Sequence, residues 1–185
     1  MFIEGWRLVQ KTVGEANYSG RATISSWRRP SPGRYKLNVD AAVRDKLCGL
    51  GWILRDGYGN FVAGVSKVWH GSLSPLEAEL IGIREALSWM KEGGWDGVEV
   101  ESDSSGAVTE ILQESSISLA GIIGGDIREI NLGFTDISFT HIRRSANRAA
   151  HELARAACSV SGCICWDNHP PHFIVHVLNT DLMND

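Results

Sequence analysis

From Tyr35 to Ala42 the chain alternates apolar and polar residues, the two-residue period of a strand with one wet face. Gly49–Arg55 and Phe61–Trp69 are two further strand-like runs, and between them lies Asp56-Gly57-Tyr58-Gly59-Asn60, a turn sequence. An antiparallel meander is expected. The period then changes. Ser74 can cap a helix, Pro75 suits the first helical position, Glu77 completes a capping box, and Gly93-Gly94 closes the segment. Within it, Leu76, Leu80, Ile83, Leu87 and Met90 fall on one stripe. Alternation returns at Val98–Asp103, followed by a helix to about Gln113 and a helical segment from about Leu119 to Asn131 with a weak interruption at Gly124-Gly125. A strand, Phe134–His141, and an alanine-rich helix from about Ala146 complete the order.

Three acids break this pattern. Asp40 ends the first strand, where a wet face shared with Lys36 and Asn38 is the ordinary explanation. Glu79 lies about 40° from Ile83 on the helical wheel, so it aims at the core unless a salt bridge or an edge position takes it to water. Asp103 ends the fourth strand beside a helix start, a common place for an N-cap, although Ser104 or Ser105 could cap instead. In the last helix Arg148, His151 and Arg155 share a face, either a solvated one or a basic ridge with a metal-binding or proton-transferring imidazole.

Length and composition narrow the classes. The 185 residues are 43% hydrophobic, enough for one domain with a sizeable core plus extensions. Residues 1–33, closing in Arg28-Arg29-Pro30-Ser31-Pro32-Gly33, read as a leader or linker, 34–160 as the domain and 161–185 as a tail. No apolar run has the length of a membrane span and the N-terminus lacks a signal-peptide pattern, so an intracellular, nuclear or cytoplasmic protein is expected. The four cysteines are expected to be reduced. A formal net charge of -4 gives no global attraction to nucleic acid; any such binding needs a local basic patch.

The ordered set Lys36–Ala42, Gly51–Asp56, Glu77-Ala78-Glu79-Leu80, Glu101-Ser102-Asp103-Ser104, and Thr140–Arg144 running into Asn147–Ala154 resembles the type 1 ribonuclease H superfamily. It is most similar to the plant branch found as single-domain proteins and at the ends of reverse transcriptases of non-LTR retrotransposons. The tail Trp166–Ile174 is similar to tails in that branch. The resemblance implies an α/β ribonuclease H-like fold, a mixed five-stranded sheet of three antiparallel then two parallel strands, flanked by helices. It implies an endonuclease that holds two Mg²⁺ or Mn²⁺ ions and hydrolyses the RNA strand of RNA/DNA hybrids. Asp40, Glu79 and Asp103 match the metal-binding acids, and His141 matches the loop histidine that assists proton transfer or product release. His151 stands where many members carry the last aspartate.

That departure sets an expectation. Hard Mg²⁺ prefers oxygen ligands and imidazole suits Mn²⁺ better, so His151 as a fourth ligand predicts activity that is low in Mg²⁺ and higher in Mn²⁺. Ser74, Arg143, Arg144, Asn147, Arg148 and Arg155 are the candidate contacts to nucleic acid, with weak, salt-sensitive binding and little sequence preference. A monomer is expected, with no membrane partner and a covalent or evolutionary link to a reverse transcriptase. One alternative is a domain with weakened catalysis that serves as a nucleic-acid-binding or interaction module. Another is a zinc module from Cys158, Cys163, Cys165, His169, His172 and His176, whose spacing fits no standard finger.

Overall fold

The computed structural model describes residues 25–44, 46–113, 117–159 and 161–185. Strands β1 (Tyr35–Arg44), β2 (Leu47–Arg55) and β3 (Phe61–His70) form the expected meander. Helix α1 (Pro75–Gly93) begins with the capping box of Ser74 and Glu77 and ends on Gly94, which takes the left-handed conformation at φ 72° that a residue without Cβ adopts freely. There follow β4 (Val98–Ser102), α2 (Ser105–Leu112), α3 (Leu119–Asn131), β5 (Ile137–His141), a 3₁₀ turn (Arg144–Ala146), α4 (Arg148–Ala157), β6 (Cys163–Asp167) and α5 (His172–Met183). Gly124 and Gly125 do not interrupt α3; the absence of a side chain at Gly124 lets the helix approach the Glu110 carbonyl of α2.

The sheet order is β5-β4-β1-β2-β3-β6, with β1–β4 and β4–β5 parallel and the other pairs antiparallel. Five strands were expected and six are present among the described residues. The sixth comes from the tail, where Cys163-Ile164-Cys165-Trp166-Asp167 pairs with β3. A five-residue strand amid cysteines carries too little periodicity to be read as one. No described helix is long and apolar enough to cross a membrane.

Alternation along the strands sorts the molecule into layers. Leu37, Val39, Leu50, Trp52, Val65 and Val100 meet the stripe of α1 in the main core, where Leu80, Ile83, Leu87 and Met90 are fully buried. On the opposite face Ile53 packs with Ala149, Ala150 and Leu153 of α4 and with Ile174, Val177 and Leu178 of α5. Small residues set the distance there: a Cβ on Gly51 would collide with the backbone of Ala150, Leu153 and Ala154, and one on Gly49 with the Ala154 carbonyl. This close approach brings α4, and His151 with it, up to the end of β1.

The terminal segments close the same face. Trp27, from the stretch read as leader, is 1% exposed; its indole N–H donates to Asn38 Oδ1 at 3.0 Å and its ring stacks on the Arg55 guanidinium at 3.8 Å. Arg55 in turn donates to Asp181 Oδ2 of α5 at 2.8 Å. Positions 1–24 of the leader, Trp6 included, lie outside the described residues.

Candidate functional site

Three separate elements bring the three acids together. Asp40 projects from β1 toward α4, Asp103 follows the last residue of β4, and Glu79 rises from the first turns of α1. Parallel pairing of β1 with β4 places Val39 opposite Ser102, so both strands deliver their acids at the same level. Asp103 does not cap α2. Ser104 does, accepting the Ala107 N–H at 3.2 Å, and this leaves the Asp103 carboxylate to the site. One oxygen from each of Asp40, Glu79 and Asp103 lies within 4.8 Å of the others.

Such crowding of like charges out of water raises carboxyl pKa values. Burial, followed by repulsion from Asp40 and Asp103, pushes Glu79 up to about 9, against hydrogen bonds from Ala41 N–H and Ser102 Oγ that favour its ionised form. Asp40 is 2% exposed, and burial pushes it up to about 6; the His151 hydrogen bond opposes this and Asp103 adds to it. The three acids crowd their carboxylates together, and all their donor atoms are hard oxygens. That donor set fits a hard divalent cation such as Mg²⁺ or Mn²⁺.

His151 stands beside this cluster. Its Nδ1 is 2.9 Å from Asp40 Oδ2, and Arg144 Nη2 lies 3.2 Å from both ring nitrogens. The imidazole is thus engaged with a carboxylate and a guanidinium, outside the three-oxygen group. His141 is the last residue of β5, level with Ser102, and so belongs to a strand end rather than to a loop. Ser74 is exposed, and its hydroxyl oxygen accepts the Glu77 N–H in the α1 cap. Arg143, Arg144 and Arg148 are exposed near the start of α4, while Arg155 lies two turns further along and pairs with Glu152 at 3.7 Å.

Asn147 departs from its expected place. It is 1% exposed and therefore does not face a nucleic acid. Its Nδ2 donates to the Val39 carbonyl at 2.8 Å and lies 3.4 Å from Asp103 Oδ1, tying Asp103 to the strand that carries Asp40. The sequence signal nearest to it is the small face of α4 that follows, where Ala150, Ala154 and Ala157 meet Gly49 and Gly51.

A family model described as reverse transcriptase-like matches residues 38–157. No curated protein matches the chain. Ribonuclease H1 from the halophilic archaeon Halobacterium salinarum superposes with a TM-score of 0.63 at 27% identity, over 69% of this chain and 98% of its own. A metagenomic ribonuclease H1 isolated from compost, solved in complex with an RNA/DNA hybrid, gives 0.61 at 21% identity over 68% of this chain and 97% of its own. The prototype foamy virus protease–reverse transcriptase gives 0.58 at 15% identity, over 77% of this chain and 23% of the viral one. The last two likenesses bear on the fold alone.

Proposed function

The chain belongs to the reverse transcriptase-like family, within the ribonuclease H superfamily, and from that premise we propose that it is an endonuclease hydrolysing the RNA strand of RNA/DNA hybrids. The observation that carries this reading is the convergence of Asp40, Glu79 and Asp103, one oxygen of each within 4.8 Å of the others, from three separate elements. Two Mg²⁺ or Mn²⁺ ions held by these carboxylates would supply an activated water and a stabilised leaving oxygen for in-line displacement.

This chain's own residues hold and position. Asp40 is fixed within β1, which continues to Arg44 instead of ending at the acid, Asp103 stands just past the end of β4, and Ser102 and the Ala41 N–H orient Glu79. Arg143, Arg144 and Arg148, with Ser74 across the site, are the groups for phosphate contact, giving binding that depends on salt more than on sequence. His151 holds one oxygen of Asp40, and the proposal gives His141, at the end of β5, the part of taking or giving a proton. The hydrogen bond between His151 and Asp40 also supports a second reading, a domain with weakened catalysis that binds nucleic acid, because it occupies a carboxylate oxygen that a cation would use. A plant-type or retroelement origin, a monomeric state and an intracellular location, nuclear or cytoplasmic, complete the proposal.

The test is cleavage of a labelled hybrid in Mg²⁺ and in Mn²⁺, with Asp103→Asn as the control. RNA-strand cutting that is slow in Mg²⁺, faster in Mn²⁺ and absent in the variant supports the enzyme. Restoring a carboxylate with His151→Asp is expected to raise the Mg²⁺ rate about tenfold or more, closing the gap between the metals. Retained hybrid binding without cutting in either ion favours the binding module.

A further inference from the structure

The cysteines of the tail find no use in the nuclease site. Cys158 lies on the α4 side, with its Sγ 3.6 Å from the Ala42 carbonyl. Cys163 and Cys165 are different. They belong to β6, which among the described residues pairs only with β3, so β6 is a sheet edge. Alternation sends Ile164 and Trp166 to the face covered by α4 and α5 and turns both cysteines to the other face, where each is exposed and free.

Their Sγ atoms are 3.8 Å apart. Strand neighbours two positions apart normally stand nearly 7 Å from one another at the backbone, so these side chains lean together. Two thiolates bound to one tetrahedral zinc-type ion, each by a bond of about 2.3 Å, are separated by about 3.8 Å. The pair already has the spacing of a chelate.

The surroundings favour a cation. Asp167 follows on the same face, one strand repeat along. Lys67, opposite Cys163 in register, has its charge paired with Glu85 at 2.7 Å.

We propose that Cys163 and Cys165 form a surface dithiolate site for one thiophilic divalent ion of the zinc class, with water completing the coordination. Binding replaces two thiol protons, released to solvent, with one M²⁺. The site is separate from the carboxylate cluster in place and in chemistry: soft sulfur selects d¹⁰ ions, and the three acids offer only hard oxygen. It is also smaller than a zinc module built from six tail residues. Among the described residues, no group of three or more potential ligands includes any of those six.

The experiment is a Cd²⁺ titration of the full chain, reduced, stripped of metal and kept in excess Mg²⁺, following thiolate-to-cadmium charge-transfer absorbance. One equivalent is expected to saturate the band. Cys163→Ser and Cys165→Ser each weaken Cd²⁺ binding by about tenfold or more, while Cys158→Ser and the pair His172→Ala with His176→Ala leave it unchanged. Both cysteine positions are exposed, and circular dichroism verifies that the variants fold. No band in the parent chain overturns the proposal. So does a band that survives both serine variants, or one that disappears with Cys158 or with the α5 histidines.

Discussion

Two regions of one sheet face bury polar residues in contrasting ways. Lys36, Asn38 and Asp40 are successive inward positions of β1, and beside them stand Glu101 of β4 and Asp103, the residue just past that strand. At the first level each charge has an opposite or polar partner: Lys36 Nζ reaches Glu101 at 2.6 Å, Asn38 donates to the same carboxylate at 2.8 Å and accepts from Trp27, and Arg55 is held between Trp27 and Asp181. One repeat further along, Asp40, Glu79 and Asp103 face one another, met by His151 and by neutral donors such as Asn147 and Ser102. Residue type is shared; partners are not. Where buried charge meets its complement it fixes the terminal segments onto the sheet, and where it does not the fold stores repulsion that a cation can relieve.

The largest effect separates chemistry from stability. Asp103→Asn is expected to reduce hybrid cleavage by at least about 10⁴-fold while leaving the melting temperature unlowered; a variant that loses both would put Asp103 with the structural pairs. The paired region should behave in the opposite sense. Arg55→Ala or Asp181→Ala leaves a buried charge without its partner and is expected to cost about 3–5 kcal/mol in denaturant unfolding, and the double variant less than the sum of the two. Additive losses would show that the ion pair does not couple β2 to α5.

Smaller effects sharpen the contrast. Folded Glu79 and Asp40 bind protons more tightly than the unfolded chain, with pKa values of about 9 and about 6 against 4.5 and 3.8. Between pH 4 and 9 the folded state therefore holds more protons, so their contribution to stability is present at low pH and is lost as pH rises. Glu79→Gln is expected to raise the melting temperature at pH 8 by roughly 2–4 °C, an effect of about 1 kcal/mol, and by less at pH 5. Mn²⁺ should produce a similar rise in the parent chain and none in Asp103→Asn. Asn147→Ala, which unties Asp103 from β1, is expected to weaken Mn²⁺ binding by about tenfold, measured by calorimetry; an unchanged affinity would assign Asn147 to packing alone.

Most of this architecture was readable before folding. The α1 capping box, the alternation of β1 and β4, and the inward angle of Glu79 are local or periodic signals, and each appears where the periodicity put it. Long-range partners were not readable. Trp27 looked like an isolated aromatic in a linker because its contacts, Asn38, Arg55 and through Arg55 Asp181, are up to 154 positions away in the chain, although nothing in its own neighbourhood pointed to them. Strand β6 was missed for a related reason, since an edge strand of five residues takes its identity from β3.

Sequence by itself determined the three acids, the order of elements that carries them and the helix that aims Glu79 inward, because period and capping act within one or two turns of the chain. Only the tertiary structure decided that Asn147 turns inward to Asp103, that His151 meets Asp40 rather than solvent, and that the two cysteines of β6 face one another. Those outcomes depend on which backbone lies opposite, and here the small residues at Gly49, Gly51, Ala150 and Ala154 set how near α4 can come.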